Sequence, residues 1–347
     1  MLKPFSTTGI GSLPHTDAQT AVERVLSSFD IPFWPQLPRL SFREQMIPQY
    51  TEGLPFIRMN EDKRSIWVSR TGGDELERFY ESCNENTRLA ISENFAEGLH
   101  AFLRVLKKEE RGKFSFLKGH ITGPLTFTLG LNDINGKPVY YDEEMREVYL
   151  MGLKAKARWQ VDQLSALTPS ETAEAGASGV IIFIDEPLAS ALGSTTYMAV
   201  DRSEALRLLS ETVQSIKECG GLAGIHCCGR AEWPFLMESG ADILNFDAYD
   251  YGETIAMYPS ETRSFLEKGG YLALGIVPTT EAINSESAQS IKDVFSRRIE
   301  GLARFLPEEL IKKRILLTPS CGTGSLSEAE ADKVFGLLAG LREFIGE

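Results

Sequence analysis

The chain has 347 residues, 42% of them apolar and 24% charged, the composition of a globular protein with a sizeable core and long enough for one large α/β barrel. Its formal net charge is −13 with no basic block, which speaks against a phosphate backbone as partner and excludes nucleic acid binding as the first reading. No run approaches the roughly 18 apolar residues that span a bilayer, and "MLKPFSTTGIGSLPHT" lacks the basic and apolar stretches of a secretory leader, so a cytoplasmic protein with no membrane partner is expected.

Eight short apolar runs read as strands: 6–12, 32–37, 113–121, 179–185, 221–227, 242–247, 271–277 and 314–320. Several, such as Val180–Ile184, are apolar without alternation, as expected of parallel strands buried on both faces. The segments between them read as helices. Within 142–167, Leu150, Leu153, Ala157, Val161 and Leu164 form one helical stripe. The last segment opens on a capping box, Ser327 with Glu330. This alternation predicts a single-domain α/β protein over residues 1–347, a (β/α)8 TIM barrel. The stretch 38–112 is far too long for an ordinary connection. Its "SIWVSRTGGDELERFY" predicts a hairpin turning at Gly72-Gly73, an excursion over the barrel mouth.

Barrel enzymes carry reacting groups at the C-terminal ends of their strands. At those ends stand, in chain order, Gly11 and Ser12 in "TTGIGS", where backbone amides can hold a carboxylate or simply make a tight turn. His120 in "KGHITGPLT" is a proton donor or a pocket wall. Asp185 and Glu186 in "FIDEP" are paired acids for proton transfer or amine binding, or else helix-start charges. His226 and Cys228 follow the fifth run, Asp247 the sixth and Cys321 the eighth. A nitrogen, two sulfurs and a carboxylate brought to one rim suit zinc, which is tetrahedral and accepts all three donor types. An odd cysteine count in a reducing compartment favours that over a disulfide framework. Cys227 alternates to the other side of its strand, and Cys83 and Cys219 read as structural.

Together, "IGS" (10–12), "KGHITGPLT" (118–126), "IDEP" (184–187), "HCC" (226–228), the "ADILNFD" run ending at Asp247, and "PSCG" (319–322) make the chain resemble the catalytic barrel of the cobalamin-independent methionine synthases, within the uroporphyrinogen decarboxylase-like superfamily. The resemblance implies zinc on His226, Cys228 and Cys321, with Asp247 where the family has a glutamate. It implies contacts from Ile10, Gly11, Ser12 and Asp185 to a homocysteine-like amino acid. The zinc-stabilised thiolate would attack an activated methyl group and form a thioether.

Three departures shape the expectation. The family's full-length members carry a second, N-terminal barrel for a folate donor, which 347 residues cannot hold. The chain is thus similar to short core forms, with methylcobalamin or a methylated corrinoid protein as donor. A family histidine after the seventh strand is replaced in "GIVPTTE", with Thr280 in its place, and an amine-binding acid is missing from "QLPRLSFREQM", where Leu40 stands and Glu44 is nearby. Rival readings are a corrinoid-linked methyltransferase with another thiol acceptor such as coenzyme M, and a metal-free uroporphyrinogen decarboxylase-like lyase, which would need a cluster of basic residues that Arg39, Arg43 and Arg230 near the mouth do not supply. The last is a zinc-stabilised corrinoid-protein partner or sensor without turnover.

Overall fold

The computed structural model describes residues 2–109, 112–169 and 179–346. Among them the strands are β1 (Ile57–Asn60), β2 (Ser65–Val68), β3 (Leu117–Thr122), β4 (Val180–Asp185), β5 (Leu222–Cys227), β6 (Ile243–Phe246), β7 (Tyr271–Val277) and β8 (Ile315–Pro319). β3 to β8 form one parallel six-stranded sheet in strict chain order. Helices such as Glu143–Ser165, Arg202–Lys217, Pro259–Glu267, Ala288–Ala303 and Glu328–Gly346 carry the chain back between strands or cover the sheet. The predicted stripe on Glu143–Ser165 is buried, and Ser327 and Glu330 exchange both capping-box hydrogen bonds.

The first two predicted strands differ from expectation. Segments 6–12 and 32–37 form no ladder; single parallel bridges join Thr7 to Leu317, Ser12 to Gln36 and Phe33 to Lys118. Hydrogen bonds accompany these bridges, from Thr8 N to Leu317 O (3.1 Å), Gln36 N to Gly11 O (3.0 Å) and Lys118 N to Pro32 O (2.8 Å). Pro32 and Pro35 bring no N–H to a ladder, and Gly9 and Gly11 weaken strand geometry, so pairing there stops at isolated bridges. The architecture is therefore a curled six-stranded parallel sheet whose two edges are reached by bridged segments.

Strict alternation sorts the strand residues into two cores. Val180, Ile182 and Ile184 of β4, Ala223, Ile225 and Cys227 of β5, and Leu244 and Phe246 of β6 pack in the large cluster that includes the helices. The other face of the sheet holds a small apolar plug: Phe116, Ile181, Phe183, Ile243, Tyr271, Ala273 and Leu316. The same face carries Lys118, His120, Asp185, His226, Asn245 and Thr318, since each lies an even number of residues along its segment from a residue in the plug or, for His226, from Leu222, which packs against it.

The excursion also departs from its prediction. The hairpin is β1 against β2, Ile57 facing Val68 and Asn60 facing Ser65, so the chain reverses at 61–64, not at Gly72-Gly73. Both glycines have positive φ, but they lead into the helix Glu75–Ser82. The reversal uses Arg64 in the left-handed region, a position that sequence patterns assign to glycine or asparagine.

Candidate metal centre

β5 enters on Leu222 and Gly224, with His226 next on the same face and Cys228 just past the strand end. Cys321 follows the end of β8. One nitrogen of His226 and the sulfurs of Cys228 and Cys321 all lie within 4.8 Å of one another. His226 Nε2 is 3.7 Å from Cys321 Sγ. Zinc held by thiolate at about 2.3 Å and imidazole at about 2.0 Å in tetrahedral geometry places S and N roughly 3.5 Å apart, so the donors and their spacing fit zinc. Cys227 faces the helical core, and burial pushes its thiol up to about 12, far from a ligand's state.

The three groups share charge. A hydrogen bond from Cys321 and another from His226 bring the Cys228 thiol down to about 4, against the effect of burial. The Cys321 thiol is driven well up by that same bond and by burial. Burial works against a charged His226, but the Cys228 and Asp185 charges outweigh it and its pKa rises. Asp247 lies outside the three groups that stand within 4.8 Å of one another; its Oδ1 caps the short helix Ala248–Tyr251, accepting from Asp250 N at 2.9 Å, and burial lifts the carboxyl to about 6.

Segment 6–12 runs beside the cluster. Thr323 N donates to Ser12 O (2.8 Å) and Gly324 N to Ser12 Oγ (3.3 Å), tying Ser12 to the loop that carries Cys321. Among the described residues, no hydrogen bond uses the N–H groups of Ile10, Gly11 or Ser12. Gly11 meets the His120 ring so closely that a Cβ would stand 2.9 Å from it. His120 stacks on Trp34 (3.8 Å between ring centroids), with Nδ1 3.0 Å from the Tyr50 hydroxyl. Burial, then the nearby Lys118 charge, hold its pKa well below the usual value. Asp185 Oδ2 is 4.0 Å from His120 Nδ1, while Asp185 Oδ1 and His120 Nε2 are buried with no hydrogen-bond partner. Burial raises the Asp185 carboxyl to about 6, although His226 and Lys118 pull it down.

Other candidates are occupied elsewhere. Glu186 accepts from Leu125 N (2.9 Å), Thr126 N (2.8 Å) and Thr126 Oγ1 (2.7 Å), so both its oxygens hold the start of the helix Pro124–Gly130. Glu44 does the same for Leu37 N (2.8 Å) and Glu97 N (2.9 Å), which leaves no free oxygen for an amine. Leu40 is half-buried, packed against the large core. Thr280 is exposed and caps the turn Glu281–Ser285; its neighbour Thr279 is the buried one, 3.2 Å from Ser320 Oγ. Arg39 binds the carbonyls of Ser325 and Leu326, Arg43 pairs with Glu61, and Arg230 lies 3.9 Å from Glu253. These three therefore make no cluster of free cations.

Two inner-face residues escaped the sequence reading. Lys118 is fully buried on β3, its Nζ donating to Ile10 O at 2.6 Å. Asn245 is fully buried on β6, hydrogen-bonded to His226 Nδ1, Ala273 O and Thr318 Oγ1. For Asn245 the signal was a single polar residue in the otherwise apolar strand β6, whereas Lys118 shares β3 with His120 and Thr122 and did not stand out.

No protein-family model matches the chain, and no curated protein matches it in sequence. Solved structures do match. A B12-independent methionine synthase from Shewanella sp. W3-18-1, in complex with selenomethionine, superposes with a TM-score of 0.58 at 15% identity, over 100% of this chain and 98% of that one. A glycoside hydrolase (TM-score 0.46, 12% identity, 93% of this chain and 90% of that one) and an L-ribulose 3-epimerase (0.37, 13%, 81% and 90%) also align. At these identities the likeness to the methionine synthase is one of fold.

Proposed function

We propose that the chain is an enzyme that transfers a methyl group to a thiol at the His226–Cys228–Cys321 cluster, with homocysteine as acceptor and methionine as product. The observation that carries this reading is the convergence of one imidazole and two cysteines from the ends of β5 and β8 within 4.8 Å. Zinc on these three residues, with Asp247 or the substrate sulfur completing the shell, would keep that sulfur a thiolate near neutral pH and act as its template.

The neighbouring residues suit an amino acid. The unused N–H groups of Ile10, Gly11 and Ser12 offer donors to its carboxylate, and the partnerless Asp185 oxygen offers an acceptor to its ammonium. His120, neutral and backed by Trp34, walls the pocket between them. Glu186 and Thr280 serve as caps in this scheme. The complex of the fold-related methionine synthase with selenomethionine supports an amino-acid pocket. The bridged segments 6–12 and 32–37 are then the first two strands of a (β/α)8 barrel forming one catalytic domain in the cytoplasm. Methylcobalamin or a corrinoid protein is the proposed donor, from the resemblance to short core forms.

The test is bound zinc per chain in wild type and in Cys321→Ser, followed by methyl transfer from methylcobalamin to homocysteine and, in parallel, to coenzyme M. One zinc in the wild type, lost in the variant, with methionine formed, supports the proposal. A preference for coenzyme M moves the acceptor, and zinc bound without turnover leaves the non-enzymatic partner or sensor. A wild type that holds no zinc when grown with it removes thiol activation.

A further inference from the structure

Asn245 stands at the crossing of three strands. In register it faces His226 on β5 and Ala273 on β7, and its side chain reaches Thr318 on β8. Its Nδ2 lies 2.9 Å from Ala273 O and 2.8 Å from Thr318 Oγ1. A backbone carbonyl can only accept, so the amide nitrogen must face Ala273, and the amide oxygen must then face His226. The reverse orientation would set oxygen against oxygen at Ala273. With an oxygen opposite Nδ1, the neutral imidazole must carry its proton on Nδ1, which leaves the lone pair on Nε2, the nitrogen 3.7 Å from Cys321 Sγ.

We propose that Asn245 is a positioning residue: it holds His226 in the Nδ1–H form and aims Nε2 at the two cysteines, so that His226 is ready to bind metal through Nε2. The proposal rests on reading His226, Cys228 and Cys321 as a metal site. It assigns a role to a residue outside the ligand set and explains why a polar amide occupies an apolar strand. An asparagine present only to fill the core would leave metal binding unmoved, and that distinguishes the two roles. Thr318 belongs to the same device, as the second acceptor that keeps the amide from rotating.

The experiment compares wild type with Asn245→Leu, Asn245→Asp and Thr318→Val. Zinc affinity is measured by competition with a chromophoric chelator, and ligand geometry by the visible spectrum of the cobalt(II)-substituted protein. Outer-shell partners of this kind change metal affinity by roughly 10- to 100-fold. Asn245→Leu, similar in size but without an acceptor, is expected to weaken zinc by that amount and to alter the cobalt spectrum. Asn245→Asp still accepts from Nδ1–H but sets its second oxygen against Ala273 O, so it should keep the wild-type cobalt spectrum while losing stability and no more than a few-fold in zinc affinity. Thr318→Val, milder, should fall between them and serves if the leucine variant does not fold. Folded Asn245→Leu or Thr318→Val protein with wild-type affinity and an unchanged spectrum would overturn the proposal while leaving the metal site standing. A wild type that binds neither zinc nor cobalt would overturn both, and that result is visible before any variant is made.

Discussion

Lys118 carries a positive charge into a niche with no exposed surface, and its neighbours explain how. Its ammonium lies 4.3 Å from the ring centroid of Phe183 and 5.4 Å from that of Phe33, and donates to Ile10 O. Each ring is seated against a glycine, Gly224 for Phe183 and Gly9 for Phe33, where a Cβ would collide with the ring. Burial lowers the lysine to about 7, opposed by Asp185. A folded-state pKa below the unfolded value of 10.5 means the folded chain binds fewer protons between those values, so the contribution of Lys118 to stability is full above pH 10.5 and lost as pH falls through 7. Stability of wild type relative to Lys118→Met is thus expected to rise between pH 7 and pH 10, by on the order of 2–4 kcal/mol. Urea unfolding at the two pH values measures it, and a difference independent of pH would mean that the lysine keeps its ordinary pKa. At this scale the sequence was most legible where chemistry is rare. Histidine and cysteine at strand ends stand out, whereas Lys118 gains meaning only once its contact with Ile10 O is known, and Asn245 only once its register with His226 and Ala273 is known.

Elements account for the acids whose sequence context misled. "IDEP" presents two carboxylates side by side, but Asp185 ends β4 facing inward while Glu186 turns to the amides that open the helix Pro124–Gly130. Gly123 precedes that helix because any Cβ there would run into the Glu186 carboxyl group. Gly123→Ala should cost about 1–3 kcal/mol through overpacking, seen as a lower urea midpoint with an unchanged slope. Glu186 titrates with the opposite sign to Lys118. Burial raises its pKa from 4.5 to about 7, so its contribution is full below pH 4.5 and lost as pH rises through 7. The stability of wild type relative to Glu186→Gln should therefore shrink between pH 5 and pH 8, by up to about 3 kcal/mol; a gap that widened would mean the carboxylate is held ionised by its three donors. The hairpin shows the opposite difficulty. Gly72-Gly73 offered the stronger turn signal, while the true reversal at 61–64 relies on Arg64 in a conformation its residue type does not advertise.

Across the whole molecule, parallel strands in chain order and their helices followed from apolar runs and periodicity, since both faces of such a sheet must be buried. The two proline- and glycine-bearing segments did not, because bridging depends on where neighbouring strands end rather than on local pattern. That arrangement gives metal binding a global consequence. His226 and Cys228 hang from β5 and Cys321 from β8, on opposite sides of β6 and β7, so one ion would link parts of the sheet that share no ladder. Ligand that binds only the folded chain stabilises it by about 2.7 kcal/mol at a hundredfold excess over Kd, which for a domain of this size corresponds to roughly 3–6 °C in Tm. Metal-stripped wild type should show that rise when zinc is added, and Cys321→Ser should not. Cys227→Ser is the necessary control. Its sulfur faces the helical core, so the variant should start from a lower Tm, by reason of a buried hydroxyl, yet respond to zinc as the wild type does. If Cys227→Ser also lost the response while Cys321→Ser kept it, the pairing of β5 with β8 through the cluster would be wrong, and the adjacent cysteines alone would hold the metal.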